Sequence, residues 1–234
     1  MSIKLTNITK NYGSFTVLKD FDISFKNGEI SCILGSSGIG KTTVLNIISG
    51  TTDYQGNVEY SGSALTYIFQ KERLLNNLTV YKNLEYILKT PVKDKQLRQE
   101  KILSILKTVE LSDKKDNYPY ELSGGMQQRL SMARAFVYPS DAMLMDEPFR
   151  SLDIALKKRM TEAFLNLWRN DKRTVIFVTH DIDEALMLSD TVYIFKGLPA
   201  KVCDVIEIKN DVFTRDLTDG YMTDIRKKIL NNII

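Results

Sequence analysis

The sequence predicts an α/β fold, with a mostly parallel sheet and helices on both faces. Three observations predict it. The runs "AMLMDE" and "TVIFVTH" are short and mostly apolar, with no polar alternation in their middles, as strands buried on both faces are. Such runs alternate with amphipathic stretches, "IALKKRMTEAFLNLWRN" being the longest, and strand–helix alternation favours a parallel sheet. The glycine-rich stretch "GSSGIGKT", Gly35 to Thr42, lies between a strand-like run and a helix-like one.

Taken in order, the chain begins β-rich. "IKLTNITKNY", "FTVLKDFDISF" and "EISCILG" read as strands separated by Gly and Asn turns. The third ends in the glycine loop, and "KTTVLNIISG" continues as a helix closed by Gly50. "GNVEYSG" and "LTYIF" read as two more short strands. From Val80 to Val109 the pattern is helical, with Val80, Leu84, Ile87 and Leu88 spaced for one face. A further helix opens after Ser123 and ends near "VYPS". Next come the buried strand "AMLMDE", the long amphipathic helix, the buried strand "TVIFVTH", a helix at "DIDEALMLSD" and a strand at "TVYIF". From Asp216 onward Leu217, Tyr221, Ile225 and Ile229 stand four apart, which reads as a helix packing on the domain rather than one lying on a membrane.

Composition narrows the function classes. The chain has 234 residues, enough for one domain with a sizeable core. A formal charge of +3 gives no argument for nucleic acid as a partner. No apolar run reaches the roughly 18 residues of a membrane span, and the alternating N-terminus "MSIKLTNITK" does not read as a signal peptide. Cys32 and Cys203 lie in apolar, strand-like segments and read as buried thiols in a reducing compartment rather than as a disulfide.

The chemistry gathers at strand ends. "GSSGIGKT" matches the pattern G-x-x-x-x-G-K-[ST] in its required context. Its glycines let the backbone wrap around phosphate oxygens, while successive N–H groups and the helix N-terminus supply a positive field. The candidate nucleotide-binding set is Gly35, Ser36, Ser37, Gly38, Ile39, Gly40, Lys41, Thr42 and Thr43. Lys41 is placed to reach β- and γ-phosphates, and the Thr42 hydroxyl to ligate Mg²⁺. Asp146, at the end of "AMLMD", is a second Mg²⁺ partner through water, and Glu147 after it can orient and deprotonate a water for in-line attack. His180, the single histidine, ends "TVIFVTH" at the same predicted edge and can hydrogen-bond a γ-phosphate and the attacking water. Gln70 ends "YIFQ", where a neutral amide can bond Mg²⁺ or water. Tyr12 can stack on a purine, although taken alone such a residue is a surface tyrosine more often than not. A second anion site is suggested by "ELSGGMQQRL": Ser123 is an N-cap candidate, and Gly124 and Gly125 offer N–H groups at a helix start.

Together these pieces resemble the nucleotide-binding subunits of ABC transporters. "GSSGIGKTT" stands as Walker A, "FQ" as the Q-loop, "LSGGM" as the signature, "MLMDEP" as Walker B, "SLD" as the D-loop and "TH" as the switch histidine. They occur in the family's order and cover about Tyr12 to Phe195. The resemblance implies a P-loop NTPase with a RecA-like core, an N-terminal antiparallel β region and an inserted helical lobe. Within a single nucleotide-binding domain, 1–75 and 135–200 would form the core, 76–134 the lobe and 201–234 a short tail. It also implies Tyr12 on adenine, MgATP hydrolysis and a head-to-tail dimer of two copies with two ATP molecules between them. The γ-phosphate held by Lys41 of one copy would then meet Ser123 of the other, and Asp153 in "SLD" would couple the two sites.

A separate integral membrane permease is the further implied partner, with a solute-binding protein acting indirectly. The chain would sit peripherally on the cytoplasmic face of the membrane. "LLNNLTVYKNL", "LWRNDKRTVIFVTHDIDEAL" and the short ending look like the nitrate, sulfonate and taurine importer subfamily, which implies import of a small anionic solute. Efflux, or an ABC ATPase outside transport, is the alternative. The sequence departs from the family pattern at Met126, where Gln is commoner, and at Arg150 and Ser151, where many importers carry Gly and Ala. It also lacks the Pro-Trp that usually precedes "LTV" in that subfamily. Leu74, Leu75 and Leu78 after Gln70 are expected to be exposed and to form the dock for a permease helix, or else to belong to the lobe's own core.

Overall fold

The computed structural model describes residues 2–150 and 152–233, apart from the side chain of Asn170. In chain order the strands and helices begin with β1 (Ile3–Tyr12), β2 (Phe15–Phe25), β3 (Ile30–Leu34), α1 (Lys41–Ile48), β4 (Gln55–Tyr60) and β5 (Leu65–Ile68). Then come α2 (Val80–Leu88), α3 (Lys95–Thr108), α4 (Gly124–Val137), β6 (Ala142–Asp146) and α5 (Ile154–Asp171). The chain finishes with β7 (Thr174–Thr179), α6 (Ile182–Leu188), β8 (Thr191–Lys196), β9 (Lys201–Glu207) and α7 (Gly220–Ile233). They divide into two compact units, one of Met1–Leu65, Asp141–Glu147 and Lys172–Ile234, the other of Thr66–Ser140 and Pro148–Asp171.

The first unit holds a sheet in the order β6-β7-β3-β8-β9. β6, β7, β3 and β8 run parallel, and β9 returns antiparallel to β8. Every residue of β3, β6 and β7 is buried, which is why these strands are mostly apolar. Register aligns their ends: Leu34 of β3 stands beside Thr179 of β7, and Asp146 of β6 beside Val178. The C-terminal ends of the three strands therefore share one edge. A second, antiparallel sheet has the order β2-β1-β4. The two sheets meet through edge-to-face pairs, Phe21 with Phe195 and Phe25 with Tyr193, and the Tyr193 hydroxyl donates to the Ser24 carbonyl.

In the second unit α2, α3 and α4 pack against one another over fully buried Leu84, Leu88, Ile102, Leu106 and Leu130. Phe164 of α5 meets Phe136 and Phe149 edge to face. Three local readings change here and in the tail. The helical stretch from Val80 to Val109 is two helices, because Pro91 has no N–H to give and Asp94 caps a new start by accepting from Leu97 N. The tail helix starts at Gly220 rather than at Asp216, whose side chain instead accepts from the Thr218 N–H and hydroxyl. Cys32 is buried as expected, but Cys203 is exposed, since alternate residues of β9 face outward along the sheet's edge. Among the described residues no helix is long and apolar enough to cross a membrane.

Candidate active site

β3 delivers the chain into the loop Gly35–Lys41 at the sheet's C-terminal edge, where ligands of open α/β sheets gather. Two glycines shape that loop. Gly40 has φ +105°, and a Cβ there would lie 2.7 Å from Val17 Cγ1. At Gly35 a Cβ would come within 3.0 Å of the Phe195 carbonyl oxygen. Ser36, Ser37 and Gly38 face solvent at the rim, while Ile39 and Thr43 are buried beneath it. Lys41 is 5% exposed, and its ammonium donates to the Gly35 carbonyl at 2.7 Å and the Ser36 carbonyl at 2.9 Å. Burial lowers the Lys41 pKa, while the nearby Glu147 and Asp146 oppose that shift.

The neighbouring strand ends supply the acids and the histidine. Thr42 Oγ1 donates to Asp146 Oδ1 at 3.1 Å. Burial raises the Asp146 carboxyl above its ordinary range, with Glu147 adding to the rise and Thr42 and Lys41 working against it. Glu147 then adopts φ +48°, a left-handed backbone that costs a residue with a Cβ roughly 1–2 kcal/mol. Its N–H donates to the Val178 carbonyl at 3.0 Å, and its Oε1 lies 3.2 Å from His180 Nδ1. His180, half exposed, follows directly on β7. Tyr12 ends β1 with its ring 48% exposed, and the Lys10 ammonium sits 4.7 Å from the ring centroid while pairing with Asp53. The first unit thus brings together Lys41, Thr42, Asp146, Glu147 and His180.

The remaining candidates belong to the second unit. Gln70 is exposed just beyond β5, after the stacked pair Tyr67 and Phe69. Ser123 caps α4, its Oγ accepting from Met126 N at 3.3 Å, and Gly124 and Gly125 are that helix's first two residues. Asp153 likewise caps α5, its Oδ1 accepting from Leu156 N at 2.9 Å. Arg150 is exposed, and Ser151 lies outside the described residues. Leu74, Leu75 and Leu78 are half-buried rather than exposed. Asn83 explains this: fully buried, it accepts from Leu75 N and donates to the carbonyls of Leu75, Leu78 and Thr79, drawing the segment onto α2. A polar residue among the apolar positions of α2 was the available signal. Gln128 gives the same signal in α4, where its buried amide donates to the Pro148 carbonyl, just after the strand bearing Asp146.

A family model described as ABC transporter matches residues 18–150, more than half of the chain. The chain belongs to the ABC transporter family. The aliphatic sulfonates import ATP-binding protein SsuB of Bacillus cereus is 36% identical, over 98% of this chain and 95% of that protein. The SsuB protein of Bacillus subtilis (strain 168) is also 36% identical, over 99% of this chain and 92% of its own length. Among solved structures, the dimeric post-hydrolysis state of the ATP-binding cassette MJ0796, bound to ADP and Pi, superposes with a TM-score of 0.79. It is 28% identical and covers 89% of this chain and 100% of its own. As a member of the ABC transporter family the chain is an ATP-binding ATPase with the P-loop NTPase fold.

Proposed function

We propose that this ABC ATPase powers a separate membrane permease for the import of a small anionic solute of the sulfonate type. The hydrolytic part rests on one observation: the Glu147–His180 pair stands beside Lys41 and the Thr42–Asp146 pair on a single sheet edge. The import part rests on the sulfonate importers to which the chain is similar over nearly its whole length. The functional division we infer is one nucleotide-binding domain with core 1–75 and 135–200, lobe 76–134 and tail 201–234.

In this reading the backbone N–H groups of Gly35–Thr43 wrap the phosphates, Lys41 turns from its loop carbonyls to the β- and γ-oxygens, and Tyr12 stacks on adenine. Thr42 Oγ1 and Asp146 Oδ1 are hard oxygen donors 3.1 Å apart, a set that suits Mg²⁺. Bound there, the ion would neutralise charge developing on the transferred phosphoryl group. Glu147 accepts the proton of the attacking water as its oxygen bonds to the γ-phosphorus and the bond to ADP breaks. His180 holds the Glu147 carboxylate in place and donates to the γ-phosphate. Ser123, Gly124 and Gly125 meet the γ-phosphate of the ATP bound by a second copy, and Asp153 couples the two sites. Phosphate loss then removes the bridge, and the opening of the dimer drives the permease. The chain would lie peripherally on the cytoplasmic face, with a solute-binding protein delivering solute from outside.

The test is transport in proteoliposomes holding the permease, with MgATP and this chain supplied on the side where it binds. ATP-dependent movement of an alkanesulfonate toward the ATPase side supports the reading. Movement away from that side, or ATP hydrolysis with no movement of any small anion, overturns it.

A further inference from the structure

His180 is half exposed, so solvent reaches its imidazole, yet its ring nitrogen lies 3.2 Å from a single Glu147 oxygen. Packing covers only part of the ring, so the backbone that carries it also sets its position. The two residues flanking it in sequence are both tied down. Thr179, 2% exposed, donates its hydroxyl proton to Glu184 Oε2 at 2.6 Å. The same hydroxyl oxygen accepts from Asp181 N at 3.0 Å, so one side-chain oxygen spans the backbone on either side of His180. Asp181 caps α6, its Oδ1 accepting from Asp183 N at 2.8 Å and Glu184 N at 3.3 Å. Glu184 is 6% exposed, an acid placed inside the fold on the helix that follows the histidine. Burying such a group is unfavourable unless it is hydrogen-bonded, so its position calls for a reason.

The helix bearing Glu184 is itself anchored. In its first turn Asp183 pairs with Arg226 of α7 at 2.5 Å. At its far end Arg215, 8% exposed, donates to the Leu186 carbonyl at 2.8 Å and the Ser189 carbonyl at 2.6 Å, favourable for a cation near a helix C-terminus. α6 also packs on β3 and β7, the strands that carry the glycine loop and the histidine. Glu184 is therefore a fixed post rather than a mobile side chain.

We propose that Thr179 and Glu184 are positioning residues: their buried hydrogen bond sets the turn that presents His180 to Glu147. The inference rests on the catalytic role proposed for His180. It predicts that losing the hydroxyl lets the turn relax and displaces the imidazole. A shift on the order of 1 Å at a reacting group is enough for up to about 100-fold in rate. Most of the proposed phosphate contacts lie on the loop Gly35–Thr43, so ATP affinity should change little.

The experiment is a double-mutant cycle on steady-state phosphate release from the full chain, with fluorescent-ATP titration and thermal melting alongside. Thr179→Val keeps shape and removes the hydroxyl, whereas Thr179→Ser keeps the hydroxyl and should restore the rate. We expect kcat to fall at least about tenfold in Thr179→Val, with nucleotide affinity within about twofold and near-wild-type kcat in Thr179→Ser. In a His180→Ala background Thr179→Val should cost nothing further, because the group it positions is gone. Glu184→Gln still offers Thr179 an acceptor and should retain the rate. Glu184→Leu should reproduce Thr179→Val. Full losses that multiply with His180→Ala, or a Thr179→Val enzyme with unchanged kcat, would overturn the proposal. If His180→Ala alone turns over normally, it is the role of His180 that fails. If Thr179→Val does not fold, the Glu184→Gln and Glu184→Leu pair carries the same comparison.

Discussion

The N-termini of α1 and α4 both carry glycine, at the cap of α1 and in the first turn of α4, and are built differently. α1 starts at Gly40, which is left-handed, carries no capping side chain and leaves no room for a Cβ against Val17. α4 starts from Ser123, whose ψ of 160° and side-chain hydrogen bond make an ordinary cap. A Cβ on Gly124 would meet nothing within 4 Å, and one on Gly125 would make only van der Waals contact with Leu156 and Leu152. Gly40 is thus required by the chain's own fold, whereas among the described residues no neighbour excludes a side chain at position 124. A helix start that is exposed and stripped of side chains suits the close approach of something from outside. On the function proposed above, the difference separates a site completed within one copy from a site completed by another.

The largest expected effect lies beside the first of these helix starts, at Glu147 near Lys41. Glu147→Gln keeps shape but removes the base, so phosphate release should fall on the order of 10²-fold or more while ATP still binds. Turnover within a few-fold of wild type would remove Glu147 from the chemistry. Gly40→Ala comes next: the strained φ and the contact with Val17 should together cost roughly 2 kcal/mol of stability, read as a lowered melting temperature with weakened nucleotide binding. Gly124→Ala should do the opposite to the fold, leaving stability unchanged or raising it by up to about 1 kcal/mol, since alanine is the better helix former. Its steady-state ATPase should nonetheless drop. Equal destabilisation by both alanines would erase the contrast between the two helix starts.

The smallest expected effect on stability is a pH dependence set by Asp146. Its carboxyl is held above the ordinary range, so the folded state binds that proton more tightly than the unfolded chain does. The contribution to stability is therefore fully present at the acid end and declines as pH rises from the ordinary carboxylate value through the raised one. Asp146→Asn should remove that decline, giving a slightly higher melting temperature at neutral pH, while Mg²⁺-dependent hydrolysis is lost. In the unaltered protein, protons should compete with Mg²⁺ at a higher pH than for an ordinary aspartate. A magnesium requirement independent of pH down to the ordinary aspartate value would contradict this.

Much of the first unit was legible in the sequence because its strands are buried on both faces. "AMLMD" and "TVIFVT" admit little but central strands, and a glycine loop between strand and helix admits few other conformations. Long-range register then brings Asp146 and His180 to one edge, as their strand-end positions suggested. The features that stayed hidden depend on single side chains reaching across sequence. The half-burial of Leu74, Leu75 and Leu78 follows from Asn83, and the exposure of Cys203 from the edge position of β9. The left-handed turn at Glu147 has no sequence signature, because glutamate is not a residue type that favours positive φ. Thr179 and Glu184 were visible only as parts of a strand and a helix; their hydrogen bond needs the fold.

The central claim, that α4 begins facing the nucleotide of a second copy, has a direct measurement. It is the size of the protein with ATP and Mg²⁺ in a Glu147→Gln background, where the ATP-bound state persists, with and without Ser123→Arg. A bulky cation at the start of α4 would occupy the space meant for the partner's γ-phosphate and displace the capping oxygen. The account predicts similar ATP affinity for both proteins as monomers, and an ATP-dependent dimer for Glu147→Gln alone. A dimer that forms equally well with the arginine, or a large loss of monomer affinity, would contradict it.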